Sequence, residues 1–97
     1  MTAEDPKKYR IATIVNELGL HARSAALIAD IAQNSIGNVW IQKDDQKADA
    51  SSILDILTLA CTQATRIKII IEDNRDLPIL NAIAELVDSG FGEKETN

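Results

Sequence analysis

Residues 9–33 read YRIATIVNELGLHARSAALIADIAQ, and the change of rhythm inside them decides the fold. Tyr9–Val15 is rich in β-branched residues and predicts a strand. Apolar residues fall on both of its faces, so the inward face stays open at this point. Leu18-Gly19-Leu20 follows as a turn. From Ala22 to about Gln33 the period becomes helical: Ala25, Ile28, Ala29 and Ala32 share one stripe, widened by Leu27 and Ile31, and Asn34 closes it. The chain's single histidine, His21, stands where strand gives way to helix.

Outward from that stretch the two rhythms alternate. Val39 and Ile41 interleave with Asn38, Trp40 and Gln42 as a half-buried strand. Lys43-Asp44-Asp45-Gln46 turns the chain into a short strand around Lys47–Asp49. Ser51-Ser52-Ile53-Leu54-Asp55 has the serine and the acid of a helix start, and that helix is short, ending near Leu59. Ile67, Ile69 and Ile71 alternate with Arg66, Lys68 and Ile70 as a last strand. Asp76 caps a third helix, with Pro78 in its first turn and an apolar face of Ile79, Leu80, Ile83, Leu86 and Val87. The order β-α-β-β-α-β-α predicts an α+β open-faced sandwich, a four-stranded antiparallel sheet covered on one face by three helices. Residues 1–8 and 90–97 are small or polar without periodicity and read as flexible tails around one domain, 9–89.

The bulk properties narrow the function. Ninety-seven residues suffice for one self-supporting core, built from Ile, Leu, Val and Ala because aromatics are only 3% of the chain. One cysteine, Cys61, rules out an internal disulfide, fits a reducing compartment and reads as a buried small hydrophobe. There is no signal-like or membrane-spanning apolar run, so a cytoplasmic protein is expected. A net charge of −5 without a basic stripe argues against nucleic acid and favours protein partners with basic faces. Asp44, Asp45 and Asp49 lack the spacing and the glycine of a calcium loop, so neither metal nor cofactor is expected.

His21 sits in the place where chemistry is available. The first turn of a helix leaves backbone N–H groups unpaired and carries partial positive charge, a ready site for phosphate. Histidine is largely neutral near pH 7, hence nucleophilic, and Arg23 can bind phosphoryl oxygens beside the amides of Ala22, Arg23 and Ser24. Gly19 lets the backbone bring the ring over the helix end. On spacing alone, a capping or surface histidine is the commoner outcome.

Gly19-Leu20-His21-Ala22-Arg23-Ser24-Ala25-Ala26 resembles the G-L-H-[AT]-R-P-A signature of HPr, the histidine phosphocarrier family of the phosphoenolpyruvate-dependent phosphotransferase system. Ser52-Ile53-Leu54 and Thr58–Thr65 resemble that family's second-helix segment and the turn after it, and the similarity runs from about Tyr9 to Val87. The resemblance implies a monomeric carrier without turnover of its own. His21 would accept a phosphoryl group through Nδ1 from phosphorylated Enzyme I and donate it to a IIA-type domain or a regulatory target. It also makes Arg23 the residue beside the phosphate and Ser52 a counterpart of the serine modified by HPr kinase/phosphorylase, although Ser52 with Asp55 equally describes a helix cap. The alternative is a non-transferring regulatory module switched at Ser52.

Two departures from the pattern stand out. Ser24 replaces the family proline, giving up rigidity and adding a donor, so Ser24→Pro should alter the transfer rate without abolishing phosphorylation. The first helix offers Asp30 and Gln33 rather than lysines. Leu20, Leu27, Ile53 and Leu54 are then the candidate docking patch, largely hydrophobic, which suits a nitrogen-type or regulatory branch as well as sugar uptake.

Overall fold

Strand β1 spans Lys8–Thr13, β2 Val39–Lys43, β3 Gln46–Asp49 and β4 Arg66–Ile71; helix α1 spans Ala22–Ala32, α2 Ile53–Leu57 and α3 Leu77–Asp88. The computed structural model describes residues 8–93, so the expected tail 1–8 lies outside it except for Lys8, and residues 94–97 lie outside it too. The four strands form one antiparallel sheet in the order β1-β4-β2-β3, the open-faced sandwich expected from the sequence.

The register settles which face of β1 turns inward. Ala12 pairs with Ile67 and Arg10 with Ile69, which places them on the helix-covered side, while Tyr9 and Ile11 are exposed on the open side. The bulkier residues of β1 therefore face away from the helices. Small Ala12 leaves room for α3, and the inward Arg10 reaches past the core to donate to Asn81 on α3 at 3.2 Å. The core between sheet and helices contains Ile28, Ile41, Ile69, Leu80, Ile83 and Val87, all almost fully buried.

Asp76 sits at the N-cap position of α3, but its side chain makes no cap hydrogen bond. The carboxylate turns to the loop before β2 instead, accepting from the backbone N–H groups of Ile36 and Gly37 at 2.8 Å each. Two amides pointing at one buried carboxylate outweigh a single cap bond.

The chain end departs from expectation more sharply. Residues 90–93, read from sequence as the start of a tail, are packed onto the domain. Gly90–Gly92 form a short 3-10 turn in which Phe91 is only 2% exposed. Phe91 holds a left-handed backbone, φ 60°, which costs about 1–2 kcal/mol. Burying its ring contributes about 1.5–3 kcal/mol and offsets that strain. Gly90 lies against Val15 and Asn16, so the turn closes over the loop that leads to His21.

Candidate functional site

The loop between β1 and α1 is clamped by the segment that joins α2 to β4. Ile14 donates to the Thr65 carbonyl at 2.9 Å, Ala64 donates to the Ile14 carbonyl at 2.6 Å, and Leu20 donates to the Cys61 carbonyl at 2.9 Å. Gly19 adopts φ +66°, and a Cβ there would lie 2.4 Å from the Cys61 carbonyl oxygen. Only glycine permits both that backbone and that approach. The clamp fixes where α1 begins, and so fixes His21.

His21 is the N-cap residue of α1, in extended conformation. Its imidazole turns toward the backbone N–H of Ser24 without completing a side-chain cap hydrogen bond. The cap is closed from the other side: the His21 backbone N–H donates to Ser24 Oγ at 2.9 Å. That hydroxyl in turn lies 3.1 Å from the Gly19 carbonyl and 3.2 Å from the His21 carbonyl, with one proton to share between them. Ser24 is fully buried. It thus supplies through its hydroxyl part of the order that proline would impose by its ring. The amides of Ala22, Arg23 and Ser24 occupy the first turn, where no intrahelical acceptor exists.

The ring of His21 is half-exposed, and its Nε2 lies 2.7 Å from Glu93 Oε2. Arg23 donates through Nη1 to the same oxygen at 3.0 Å and through Nη2 to the Phe91 carbonyl at 3.1 Å. Asn16, buried, donates from Nδ2 to Glu93 Oε1 at 3.0 Å and to the Gly19 carbonyl at 2.9 Å. The hydrogen bond from His21 holds the Glu93 carboxyl below the usual glutamate range, with Asn16 and the charge of Arg23 adding to the effect and partial burial opposing it.

Sequence reasoning found His21, Arg23 and Ser24, and these lie together. It missed Glu93 and Asn16. The signal for Glu93 was Gly90-Phe91-Gly92, an aromatic between glycines directly after a helix, which describes an ordered turn better than a tail. Of the docking candidates, Leu54 is 78% and Ile53 39% exposed, but Leu20 is buried in the core and Leu27 packs partly against it. Leu20 is held there by its backbone N–H, which donates to the Cys61 carbonyl at 2.9 Å, while its side chain joins the hydrophobic core. Ser52 caps α2, its Oγ accepting from the Asp55 N–H at 3.2 Å. Cys61 is buried, and that burial pushes its thiol pKa up, as suits a packing residue.

The family described as the PTS HPr component phosphorylation site matches residues 8–89. The chain belongs to the HPr family. Among its relatives, the phosphocarrier protein HPr of Neisseria meningitidis is 30% identical over 82 residues, 84% of this chain and 92% of the relative. The phosphocarrier protein NPr of Shewanella violacea is 36% identical over 87 residues, 90% and 96% of the two chains. The crystal structure of HPr from Thermoanaerobacter tengcongensis superposes with a TM-score of 0.84 at 34% identity, covering 91% of this chain and 99% of that one. The protein is therefore a phosphocarrier of the phosphotransferase system, not an enzyme, and its partners are components of that system. The same relatives favour the carrier over a non-transferring regulatory module. Among the described residues no helix is long and apolar enough to cross a membrane.

Proposed function

We propose that His21 is the phosphoacceptor, that Nδ1 is the reacting atom, and that Arg23 with the amides of Ala22, Arg23 and Ser24 receives the phosphoryl oxygens. The observation that carries this reading is the place of the chain's only histidine: half-exposed, at the N-cap of α1, beside an exposed guanidinium. The donor is phosphorylated Enzyme I and the acceptor a IIA-type domain or a regulatory protein. The setting is cytoplasmic, which a buried cysteine in a chain without a possible internal disulfide suits.

In the forward step the Nδ1 lone pair attacks phosphorus. The N–P bond forms as the donor's bond to phosphorus breaks, and its electron pair stays with the donor. Three equatorial oxygens carry the charge through a loose transition state, where positioning and electrostatics do most of the catalytic work. In the return step an acceptor nucleophile attacks, and the Nδ1–P electron pair comes back to the ring. Exposed Ile53 and Leu54 on α2, which packs beside α1, form the apolar part of the docking surface.

Incubation with labelled phosphoenolpyruvate and Enzyme I should place an acid-labile phosphoryl group on the protein, and His21→Ala should remove it. Undiminished acid-labile labelling of the His21→Ala variant would overturn the assignment.

A further inference from the structure

The open side of the sheet carries a surface that the relay chemistry does not use. Arg66 and Lys68 on β4 alternate with buried Ile67 and Ile69, and Lys47 on β3 alternates with buried Ala48, so all three cations stand on that open side. The chain as a whole bears a net charge of −5. The other described arginines, Arg10, Arg23 and Arg75, each lie beside a carboxylate, at 3.9, 3.0 and 2.7 Å. Among the described residues, Lys47, Arg66 and Lys68 have no carboxylate partner. The two lysines lie over aromatic rings instead, Lys68 Nζ 4.5 Å from the centre of the Tyr9 ring and Lys47 Nζ 4.7 Å from that of Trp40. Such contacts hold an ammonium group over the sheet without neutralising it. Tyr9 and Ile11 are 53% and 44% exposed on the same side. Beside Ile11 the surface dips into a hollow of about 350 Å³ lined by Ile11, Gln42, Asp44, Arg66, Ile67 and Lys68.

We propose that this open face is a second docking surface, taken by an acidic segment of a partner protein that lies extended along β4, with its carboxylates on Arg66 and Lys68 and an apolar side chain in the hollow beside Ile11. Residues two apart on a strand are separated by about 6.6–6.8 Å, the spacing at which an extended segment presents alternate side chains to one side. Asp or Glu at alternate positions therefore meets Arg66 and Lys68 in register. The Arg66 guanidinium can bind a carboxylate through two N–H groups. Lys68, already held over Tyr9, loses little freedom on binding. Asp44 and Asp49, toward β3, confine the attraction to the β4 side. A polyanion crossing the sheet, such as a single-stranded nucleic acid, would meet both acids, and the lysines already cover the rings on which its bases would stack. An acidic protein segment along β4 avoids both obstacles. His21 starts α1 in the layer on the other side of the sheet, so a partner held on the open face leaves it uncovered. Exposed charges of this kind govern encounter and partner choice more than affinity, so the contact is fast, weak and salt-sensitive.

The test titrates the full chain, followed by amide NMR, with a short probe peptide in which glutamate alternates with threonine and one leucine replaces a glutamate. Signals of residues 9–13, 40–42 and 66–70 should move while those of α1 and α2 stay in place, and affinity should fall as salt is raised. Arg66→Glu combined with Lys68→Glu should weaken binding by at least roughly tenfold, because attraction becomes repulsion at both positions. Arg66→Gln combined with Lys68→Gln should weaken it less, and this neutral pair decides the matter if thermal unfolding shows that charge reversal upsets the sheet. No shifts at low salt, shifts confined to α1 and α2, or undiminished binding by folded variants would overturn the proposal. So would tighter binding of polyuridylate than of the peptide, which would assign the face to nucleic acid. Self-association of the free protein that the charge changes abolish would also overturn it, by assigning the face to a second copy of the chain.

Discussion

Gly19→Ala separates backbone strain from steric collision because Gly92 supplies a matched comparison. Both glycines sit in the left-handed region, at φ +66° and +71°. An alanine there costs about 1–2 kcal/mol in backbone energy and recovers about 0.4–1 kcal/mol by stiffening the unfolded chain. A Cβ on Gly92 would meet nothing within 4 Å, so Gly92→Ala should cost no more than about 1.6 kcal/mol. A Cβ on Gly19 would lie 2.4 Å from the Cys61 carbonyl oxygen and 2.9 Å from Thr62 Cα, and both are backbone atoms that cannot swing aside. Relief requires the clamp to open, which adds about 1–3 kcal/mol of overpacking. It also weakens the Leu20–Cys61 hydrogen bond, worth about 0.5–1.5 kcal/mol. Gly19→Ala should therefore lose about 1.5–6 kcal/mol in all, a fall in Tm of at least about 6 °C for a chain of this length. Urea and thermal unfolding followed by the fluorescence of Trp40, the chain's single tryptophan, measures both variants. Equal losses for the two would mean that the contact with the Cys61 carbonyl imposes no constraint on Gly19.

Three further outcomes follow from the same geometry. Ala60 and Ala64 hold φ 52° and 75° at exposed positions, so Ala60→Gly and Ala64→Gly should each change stability in the favourable direction by about 0.5–1 kcal/mol; loss of stability in both urea curves would contradict this. Asp76→Ala strands the amides of Ile36 and Gly37 and should cost about 2–4 kcal/mol, with faster hydrogen exchange concentrated in residues 35–38; uniform or absent acceleration would argue against the contact. Because the Glu93 carboxyl titrates below its unfolded value, its contribution to docking the terminal turn is complete above about pH 4.3 and is lost as pH falls through the depressed folded value. Acid titration of the Phe91 ring resonances should show the turn loosening only in that low window, and loosening near neutrality would refute the assignment.

The sequence carries the fold clearly where periodicity is strong. The stripe of Ala25, Ile28, Ala29 and Ala32 and the alternation of Ile67, Ile69 and Ile71 each point to one buried face, and the structure buries those faces. β1 was ambiguous because its outward residues, Tyr9 and Ile11, are more apolar than its inward Arg10; only its register with β4 resolves it. At the site, His21, Arg23 and Ser24 were legible because they are adjacent in sequence and shaped by one helix end. Glu93 was not, since it reaches His21 across 72 residues through a turn held by one aromatic ring. Leu20 was misjudged for a related reason. A leucine beside the histidine of a helix start reads as a docking residue until its N–H is seen bonded to the distant Cys61 carbonyl and its side chain in the core. Local pattern reveals elements and their ends, whereas contacts closed by the rest of the chain do not appear in it.

If His21 is the acceptor, this chain takes the phosphoryl group from one partner and gives it to another. The most direct test is to isolate the phosphorylated protein free of Enzyme I and mix it with a IIA-type domain of the same phosphotransferase system. The label should move to the acceptor in step with its loss from His21. Label released as inorganic phosphate, at a rate the acceptor does not change, would mean that His21 does not relay phosphate to such a domain.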